Sequence, residues 1–371
     1  MIRPVAPDDI ATALAATLSG GDPIAPVPES GAEPILTMLQ AQRPAEVDEL
    51  AVVVATSGST GVPKGVLLTR PAVVAGVEAT HDRLGGPGDW TLALPEHYVA
   101  GLMVTARTLV AGTTLHRAGP HLDDLPETAH PSRPQYLSLV PTQLVRALER
   151  PEVMARLARY DAILVGGAAS SADLLERART RGLRIVTTYG MSETCGGCVY
   201  DGQPLAGVEL RVDTTAPIAI RGPMLFSGYR GRADLTAEAL QDGWLVTRDR
   251  GRIVDGRLEV LGRLDDIVIS GGVNVDLAEV ETVVRRVAAE KHDHPVEVAV
   301  VGVPDPEWGT RVVAVSESPL TREDLSGDLS GARLPRQVET RNRLPRTRSG
   351  KIDRQRLLAE LAAQPERVED R

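Results

Sequence analysis

An apolar run, Leu50 to Ala55 (LAVVVA), is followed at once by TSGSTGVPKG, Thr56 to Gly65. The first half reads as a buried strand. The second half packs three glycines, two threonines, two serines and one lysine into ten residues. Gly58, Gly61 and Gly65 let the backbone turn with positive φ and approach a ligand closely. Consecutive N–H groups in such a turn form an anion-binding nest. The hydroxyls of Thr56, Ser57, Ser59 and Thr60 add donors, and Lys64 adds a charge. The set suits a polyphosphate. It is not a Walker A loop, because G-x-x-x-x-G-K-[ST] has no match. The plainer alternative is a Gly/Ser turn between a strand and the next element.

Beyond this stretch, strand and helix patterns alternate. Pro71–Leu84 reads as a helix, Trp90–Leu94 as a strand, Leu102–Val110 as a helix, and Gly112–Leu115 as the start of a strand. Gln135–Val140, Ala162–Val165 and Leu183–Thr188 read as strands, with helices at Thr142–Glu149 and Ala172–Arg181. Such alternation argues for parallel α/β layering. Ligands bind such sheets at strand carboxyl ends, which singles out the connections Gly166-Gly167-Ala168 and Tyr189-Gly190. Before the first strand, Ile10–Leu18 and Pro34–Gln42 read as short helices. From Gly207 to Val260 short strands with turn signals predict a small antiparallel region, with Asp255-Gly256 as a hairpin turn. Gly262–Asp266 suits a linker. Asp276 then caps a helix whose Leu277, Val280, Val284 and Val287 form an apolar stripe, and Val296–Val303 reads as a strand.

The chain of 371 residues is long enough for two or three full cores. Its net charge of −9 argues against general nucleic-acid or anionic-membrane binding. Cys195 and Cys198 lack the second pair a zinc site needs and any thioredoxin-like context, so they read as reduced thiols near a cleft. No signal peptide or run of 18 apolar residues is present, so the expectation is a cytoplasmic chain without stable membrane insertion.

Three further segments carry chemistry. In Tyr189-Gly190-Met191-Ser192-Glu193-Thr194, a tyrosine at a strand end can stack on a purine, Ser192 can donate to a phosphate, and Glu193 can hold a hard cation. The alternative is a solvated turn. Asp249 ends a strand-like segment and can accept two ribose hydroxyls; a surface ion pair with Arg263 is the alternative. Lys351 sits in a glycine turn within Arg341–Arg356, where seven basic residues face one acid. That run is either a solvated basic tail or a face for a polyanion.

TSGSTGVPKGV resembles the phosphate loop of the adenylate-forming superfamily, which includes acyl-CoA synthetases, luciferases and peptide-synthetase adenylation domains. YGMSET from Tyr189, WLVTRDRG from Trp244, GRLDDIVISGGVNVDLAEVE from Gly262 and PRTRSGKIDR from Pro345 agree, in the family's order. The resemblance runs from about residue 50 to the end. It implies an α/β fold: a large N-terminal domain of layered parallel and mixed sheets over residues 1–264, and a small mobile α+β domain over residues 265–371. Relatives have well over a hundred residues before the phosphate loop; here about fifty precede it, so the first subdomain is expected to be shortened.

The resemblance also assigns roles. Tyr189, Gly190 and Met191 line the adenine with the backbone of Gly166, Gly167 and Ala168. Ser192 contacts phosphate and Glu193 holds Mg²⁺. Asp249 holds the ribose, and Arg263 the ribose or phosphate. Lys351 contacts the α-phosphate and the attacking carboxylate. Asp265 is the hinge, and Gly271-Gly272 line the path of the thiol after the small domain rotates. Ser192 stands where many relatives have threonine, and Arg248 departs from the usual Thr-Gly-Asp. The substrates implied are ATP with Mg²⁺, a carboxylate and CoA. The products are acyl-AMP with pyrophosphate, then a thioester with AMP. A homodimer is the implied assembly.

For the acyl group, Pro95-Glu96-His97-Tyr98-Val99-Ala100-Gly101, the stretch Ser138–Leu144 and the Gly196-Gly197-Cys198 run resemble 2-succinylbenzoate–CoA ligases of menaquinone biosynthesis. His97 and Thr142 then border an aromatic acid, and Arg107 pairs with a second carboxylate or is a surface arginine. Glu96 and Tyr98 depart from the relatives' pattern, which points to a different pocket entrance. A CoA ligase for another aromatic or medium-chain acid, a stand-alone carrier-loading adenylation enzyme, and a catalytically silent relative stay open.

Overall fold

The computed structural model describes residues 1–57, 63–126, 132–347 and 351–363. They form two compact units. The first comprises Met1–Arg211, Ala219–Thr247 and Ile253–Leu258; the second comprises Val212–Ile218, Arg248–Arg252 and Glu259–Arg371.

The first unit opens with a four-stranded sheet in the order β1 (Arg3–Val5), β2 (Ile24–Pro26), β3 (Leu50–Ser57), β4 (Pro63–Thr69). The first three strands are parallel neighbours, while β3 and β4 are antiparallel. Helix α1 (Ile10–Leu18) stands where its pattern predicts it and buries Ile10, Ala13 and Leu14. Helix α2 (Glu33–Leu39) stops short of Gln42 because Gln40 turns left-handed, with φ 44°. Strand β4 is a departure from the sequence reading. Lys64 and Gly65 lie on a strand paired with Thr56 and Ala55, so they are strand residues antiparallel to β3. The paired Val66, Leu67 and Leu68 are all buried, which ties the hairpin to the core.

The second sheet has seven strands: β5 (Asp89–Leu92), β6 (Leu115–Arg117), β7 (Gln135–Leu139), β8 (Ala162–Val165), β9 (Ile185–Met191), β10 (Gly196–Tyr200) and β11 (Gln203–Pro204). Their order is β11-β10-β9-β8-β7-β5-β6. From β6 to β9 the neighbours are parallel; β10 and β11 are antiparallel. The intervening helices are α3 (Arg70–Leu84), α4 (Val99–Ala111), α5 (Pro141–Leu148), α6 (Pro151–Leu157) and α7 (Ala172–Thr180). Every residue of β8 is buried, as expected of a parallel strand covered on both faces. Leu137, Leu139, Leu144, Tyr160 and Ile163 pack in one cluster, and each such side chain contributes about 1.5–3 kcal/mol by burial. The sequence reading ends β9 at Thr188. The strand instead runs on to Met191, because Tyr189 and Gly190 pair with Val199 and Gly197 of β10.

A third, antiparallel sheet combines β12 (Glu209–Arg211), β13 (Ala219–Arg221), β14 (Leu240–Gln241) and β15 (Trp244–Val246), with α8 (Ala233–Ala239). The strands β16 (Asp249–Val254) and β17 (Arg257–Arg263) turn on Asp255 (φ 49°) and Gly256 (φ 72°). Both central residues have the positive φ of a type I′ hairpin turn.

In the second unit, Leu264–Asp266 forms a single 3₁₀ turn rather than an open linker. A hairpin of β18 (Ile267–Ser270) and β19 (Val273–Asp276) follows, then α9 (Leu277–His292). Asp276 caps α9 by accepting from the N–H groups of Ala278 (2.9 Å) and Glu279 (3.4 Å). The main sheet holds β20 (Val298–Asp305), β21 (Gly309–Ser316) and β22 (Gln337–Thr340), with α10 (Arg322–Leu325) and α11 (Arg354–Ala362) beside it. Strand alternation sorts its two faces. Val298, Val300, Val312 and Ala314 meet the α9 stripe. Ala299, Val301, Val313 and Val315 meet Leu344, Leu357 and Leu361.

Candidate functional site

In the first unit the hairpin of β3 and β4 presents Thr56 and Lys64 as register partners. Gly58, Ser59, Thr60 and Gly61 lie outside the described residues, as does the side chain of Ser57. The Lys64 ammonium lies 5.3 Å from the centroid of the Tyr229 ring. The Tyr229 hydroxyl donates to Glu193 Oε1 at 2.8 Å. Glu193 belongs to the 3₁₀ turn Ser192–Thr194 that follows β9. Thr194 Oγ1 stiffens that turn by accepting from Met191 N–H (2.9 Å) and donating to Gly196 C=O (2.6 Å). Ser192 is buried within it. Sequence reasoning missed Tyr229. The available signal was Ser227-Gly228-Tyr229-Arg230-Gly231, where glycines flank an aromatic and a cation.

Tyr229 is held from both sides. Leu67 N–H donates to Gly228 C=O (2.9 Å) and Arg230 N–H to Gly65 C=O (2.7 Å), so the segment adds to the edge of β4. The Arg230 guanidinium is buried and donates to the carbonyls of Leu39, Gln40, Arg43 and Pro44 and to the Glu46 carboxylate, at 2.7–3.0 Å. It pins the stretch after α2 to the segment that lies along β4.

Among the described residues no three His, Cys, Asp or Glu side chains converge as a protein-only metal cage. A lone, oriented carboxylate at Glu193 fits magnesium, which takes one or two carboxylates together with substrate phosphates and water.

The residues expected to line the adenine follow β8 and lie at the end of β9. Gly166 follows β8 directly beside Thr188, and a Cβ there would lie 2.1 Å from Thr188 Oγ1. A Cβ on Gly190 would lie 2.0 Å from the Gly196 carbonyl oxygen. Gly167 turns with φ 83°, and Ala168 is exposed next to it. Tyr189 and Met191, on β9, are half-buried.

The expected acyl residues divide. His97 follows β5 and its ring lies 4.2 Å from that of Tyr98; Thr142 starts α5 after β7. Both therefore stand beyond carboxyl ends of neighbouring parallel strands. Gln143 braces this edge, accepting from Val140 N–H (3.0 Å) and donating to Ala93 C=O (2.9 Å). Arg107 lies well inside α4, stacked 4.7 Å from the Trp90 ring, with Nη2 3.4 Å from the Tyr200 hydroxyl. It is buried, which rules out the surface alternative. No carboxylate pairs with it among the described residues, and burial lowers its pKa, partly opposed by Tyr200. Glu96 is no pocket charge, since Thr105 Oγ1 and Arg117 Nη1 each reach it at 2.5 Å.

Cys195 and Cys198 are free and buried, and burial pushes both thiols up to about 12. They are packing groups at neutral pH.

In the second unit Arg263 links two acids. It lies 3.5 Å from Asp249 and forks onto Asp265 at 2.8 and 3.0 Å. Burial alone would raise the Asp265 pKa; the hydrogen bonds and charge of Arg263 outweigh it and hold the carboxyl below its ordinary value. The unusual Arg248 approaches Asp265 at 3.8 Å, and its carbonyl accepts from Leu264 N–H at 2.7 Å. Asp249 thus keeps its place at the start of β16 despite the changed neighbour.

Beside Lys351, Arg346 bridges Ile352, and Thr347 N–H donates to the Lys351 carbonyl at 2.8 Å. Ser349 and Gly350 lie outside the described residues. The Lys351 pKa is lowered by desolvation, then by Arg263, with Asp249 opposing. The residue as a whole is solvent-exposed, so water screens these effects. The surrounding basic run is largely spent within the unit. Arg341 and Arg356 pair with Glu360, Arg346 with Glu297, and Arg354 with the buried Glu281. Gly271 and Gly272 form the β18–β19 turn with φ 57° and 78°, and the flanking Ile269 and Val273 are exposed.

Residues 6–230 match the AMP-binding enzyme family, and residues 279–351 match the AMP-binding enzyme C-terminal domain. A Mycobacterium tuberculosis (strain CDC 1551 / Oshkosh) protein named "Probable 2-succinylbenzoate–CoA ligase" is 40% identical over 370 residues, covering 95% of each chain. A variant of Escherichia coli MenE with bound OSB-AMS superposes with a TM-score of 0.78 at 27% identity, over 98% of this chain and 88% of that one. Bacillus subtilis o-succinylbenzoate CoA synthetase, in complex with the acyl-adenylate intermediate OSB-AMP, gives 0.74 at 26% identity, over 96% and 81%. With both family regions matched in order on this α/β frame, the chain belongs to the AMP-binding enzyme family.

Proposed function

We propose that this chain is an ATP-dependent acid–thiol ligase that makes 2-succinylbenzoyl-CoA in menaquinone synthesis. The observation that carries the nucleotide half is the meeting of Lys64 and Glu193 on Tyr229: one cation and one acid held together at the phosphate hairpin. Support for the acyl half comes from the named relative across nearly the whole chain, and from a buried Arg107 with no carboxylate partner among the described residues. A buried cation of that kind favours an anionic ligand group.

In the first half-reaction a carboxylate oxygen of the acid attacks the α-phosphorus of ATP, and the bond to pyrophosphate breaks. Lys64 and the hairpin backbone hold the phosphates. Lys351 stabilises charge on the α-phosphate oxygens and aligns the attacking carboxylate. Magnesium, held by Glu193, neutralises charge on the phosphates when it is bound. Asp249 and Arg263 hold the ribose, and Tyr189 with Gly166–Ala168 holds the adenine. In the second half-reaction the CoA thiolate attacks the acyl carbon and AMP leaves. Residues 1–264 are assigned the adenylation and acyl residues, residues 265–371 carry Lys351 and Gly271-Gly272, and Asp265 is the hinge. A cytoplasmic homodimer without a nucleic-acid partner completes the reading. No described helix is long and apolar enough to cross a membrane.

The deciding experiment is pyrophosphate release with Mg-ATP across a panel of carboxylic acids, with and without CoA. Multiple turnover with 2-succinylbenzoate only when CoA is present is the expected result. Turnover with another aromatic or medium-chain acid keeps the mechanism and discards the substrate. Transfer to a carrier-protein thiol but not to CoA favours a carrier-loading enzyme. No release with any acid overturns the proposal.

A further inference from the structure

We propose that Tyr229 is a positioning residue that sets Glu193 and Lys64 for magnesium-ATP. This rests on the nucleotide half of the function above.

One side chain makes both contacts. Its phenol O–H donates to Glu193 Oε1 at 2.8 Å, and its ring lies 5.3 Å from the Lys64 ammonium. The carboxylate keeps its second oxygen for a cation, and a hydrogen-bonded neighbour fixes which way a metal-holding carboxylate points. No ion pair joins Lys64 to Glu193 among the described residues.

The position of the phenol is imposed by the fold. Phe226 packs edge-on against the Tyr229 ring at 4.9 Å. Phe226 N–H donates to the Glu193 carbonyl at 2.9 Å, so the same stretch grips the backbone of the acid and its side chain. Tyr229 N–H donates to Thr236 Oγ1 at 2.9 Å. Arg230 anchors the next residue through its buried guanidinium. The segment also pairs with β4 one residue beyond Lys64, through Gly65. A displacement of Tyr229 therefore moves both partners.

The test separates the two contacts in the full-length protein. ATP binding is measured by calorimetry without divalent ion and across a magnesium titration, for the wild type, Tyr229→Phe and Tyr229→Leu. Tyr229→Phe keeps the ring under Lys64 and removes only the donor to Glu193. Its magnesium dependence is expected to shift about 10-fold or more toward higher concentration, with magnesium-free ATP affinity unchanged within about twofold. Tyr229→Leu is expected to lose a few-fold in magnesium-free affinity as well, since the ring contact is gone. A Tyr229→Phe protein with wild-type magnesium dependence overturns the inference. Thermal melting reports whether each variant is folded. As an independent check, Glu193→Gln and the Glu193→Gln/Tyr229→Phe double variant are compared in the same titration. Equal losses in the two support the coupling, and additive losses overturn it. Failure of the wild type to bind ATP at any magnesium concentration is a different outcome: it overturns the nucleotide assignment itself.

Discussion

His81 and Arg107 are buried cationic-type side chains set close enough to act on each other. Burial and then the Arg107 charge lower the His81 pKa from 6.5 to about 4. The imidazole is therefore neutral in the folded chain well below neutral pH, while the unfolded chain takes up the proton near its ordinary value. Above pH 6.5 neither state is protonated there and His81 contributes no pH dependence. As pH falls from 6.5 toward 4 the unfolded state binds the extra proton and stability drops, levelling off below the folded value. His81→Leu removes this term. Urea midpoints at pH 7 and pH 5 should show wild-type stability falling by about 2 kcal/mol more than the variant's. Arg107→Leu tests the neighbouring group. If the guanidinium takes a second carboxylate, KM for 2-succinylbenzoate rises at least 10-fold while KM for ATP stays within about twofold, because only one of the two substrates loses a charge-assisted hydrogen bond. The burial of these groups was not legible in sequence. Arg107 is one cation in an apolar helix pattern, and what decides its exposure is the sheet and the neighbouring helix that cover it.

Among elements, the phosphate hairpin shows how far pattern reading carries. The strand before the glycines is visible as a continuous apolar run, and the helix after it by its proline. The strand between them, Pro63–Thr69, is masked by Lys64 and Gly65, which read as loop chemistry. It exists because β3 pairs with it and because Arg230 and its neighbours close its other edge. Arg230→Met should destabilise the first unit by about 3–5 kcal/mol, read as a lowered urea midpoint, because the Glu46 carboxylate and four carbonyls lose one shared partner. The β9–β10 pair offers a second case. Gly190→Ala places a methyl 2.0 Å from the Gly196 carbonyl oxygen, a backbone atom that cannot swing aside. ATP affinity should fall at least 10-fold as β10 and the Glu193 turn are pushed apart, with a lowered melting temperature beside it. The Asp255-Gly256 turn, and in the second unit Asp276 and the apolar stripe of α9, were easier to read. They behave as local chemistry dictates, since caps and type I′ turns need only neighbouring residues.

Across the whole molecule, the reaction proposed above draws on residues of both units. The residues proposed for the phosphates, adenine and acyl group lie in the first; Asp249, Arg263 and Lys351 lie in the second. Lys351→Ala should lower acyl-AMP formation by about 100-fold or more, yet leave thioester formation from supplied acyl-AMP within a few-fold. Equal loss in both half-reactions would show that the lysine serves the whole cycle or the fold, and would end the assignment of separate chemistries to the two units. The sequence by itself determined the reaction class. Its phosphate stretch, Tyr189–Thr194, Asp249 and Lys351 are each short runs whose chemistry depends on composition and local turns, so they are readable without a fold. It also determined the α/β alternation, because strand and helix periods are local. Tertiary structure alone decided which charges are available. The basic run around Lys351 is mostly paired with glutamates from other elements, Glu96 is neutralised inside, and Arg107 is left buried without an acid among the described residues. It alone brought Tyr229 to both Glu193 and Lys64. Those contacts join residues far apart in the chain, and no local pattern encodes a distance that only the packed sheets impose.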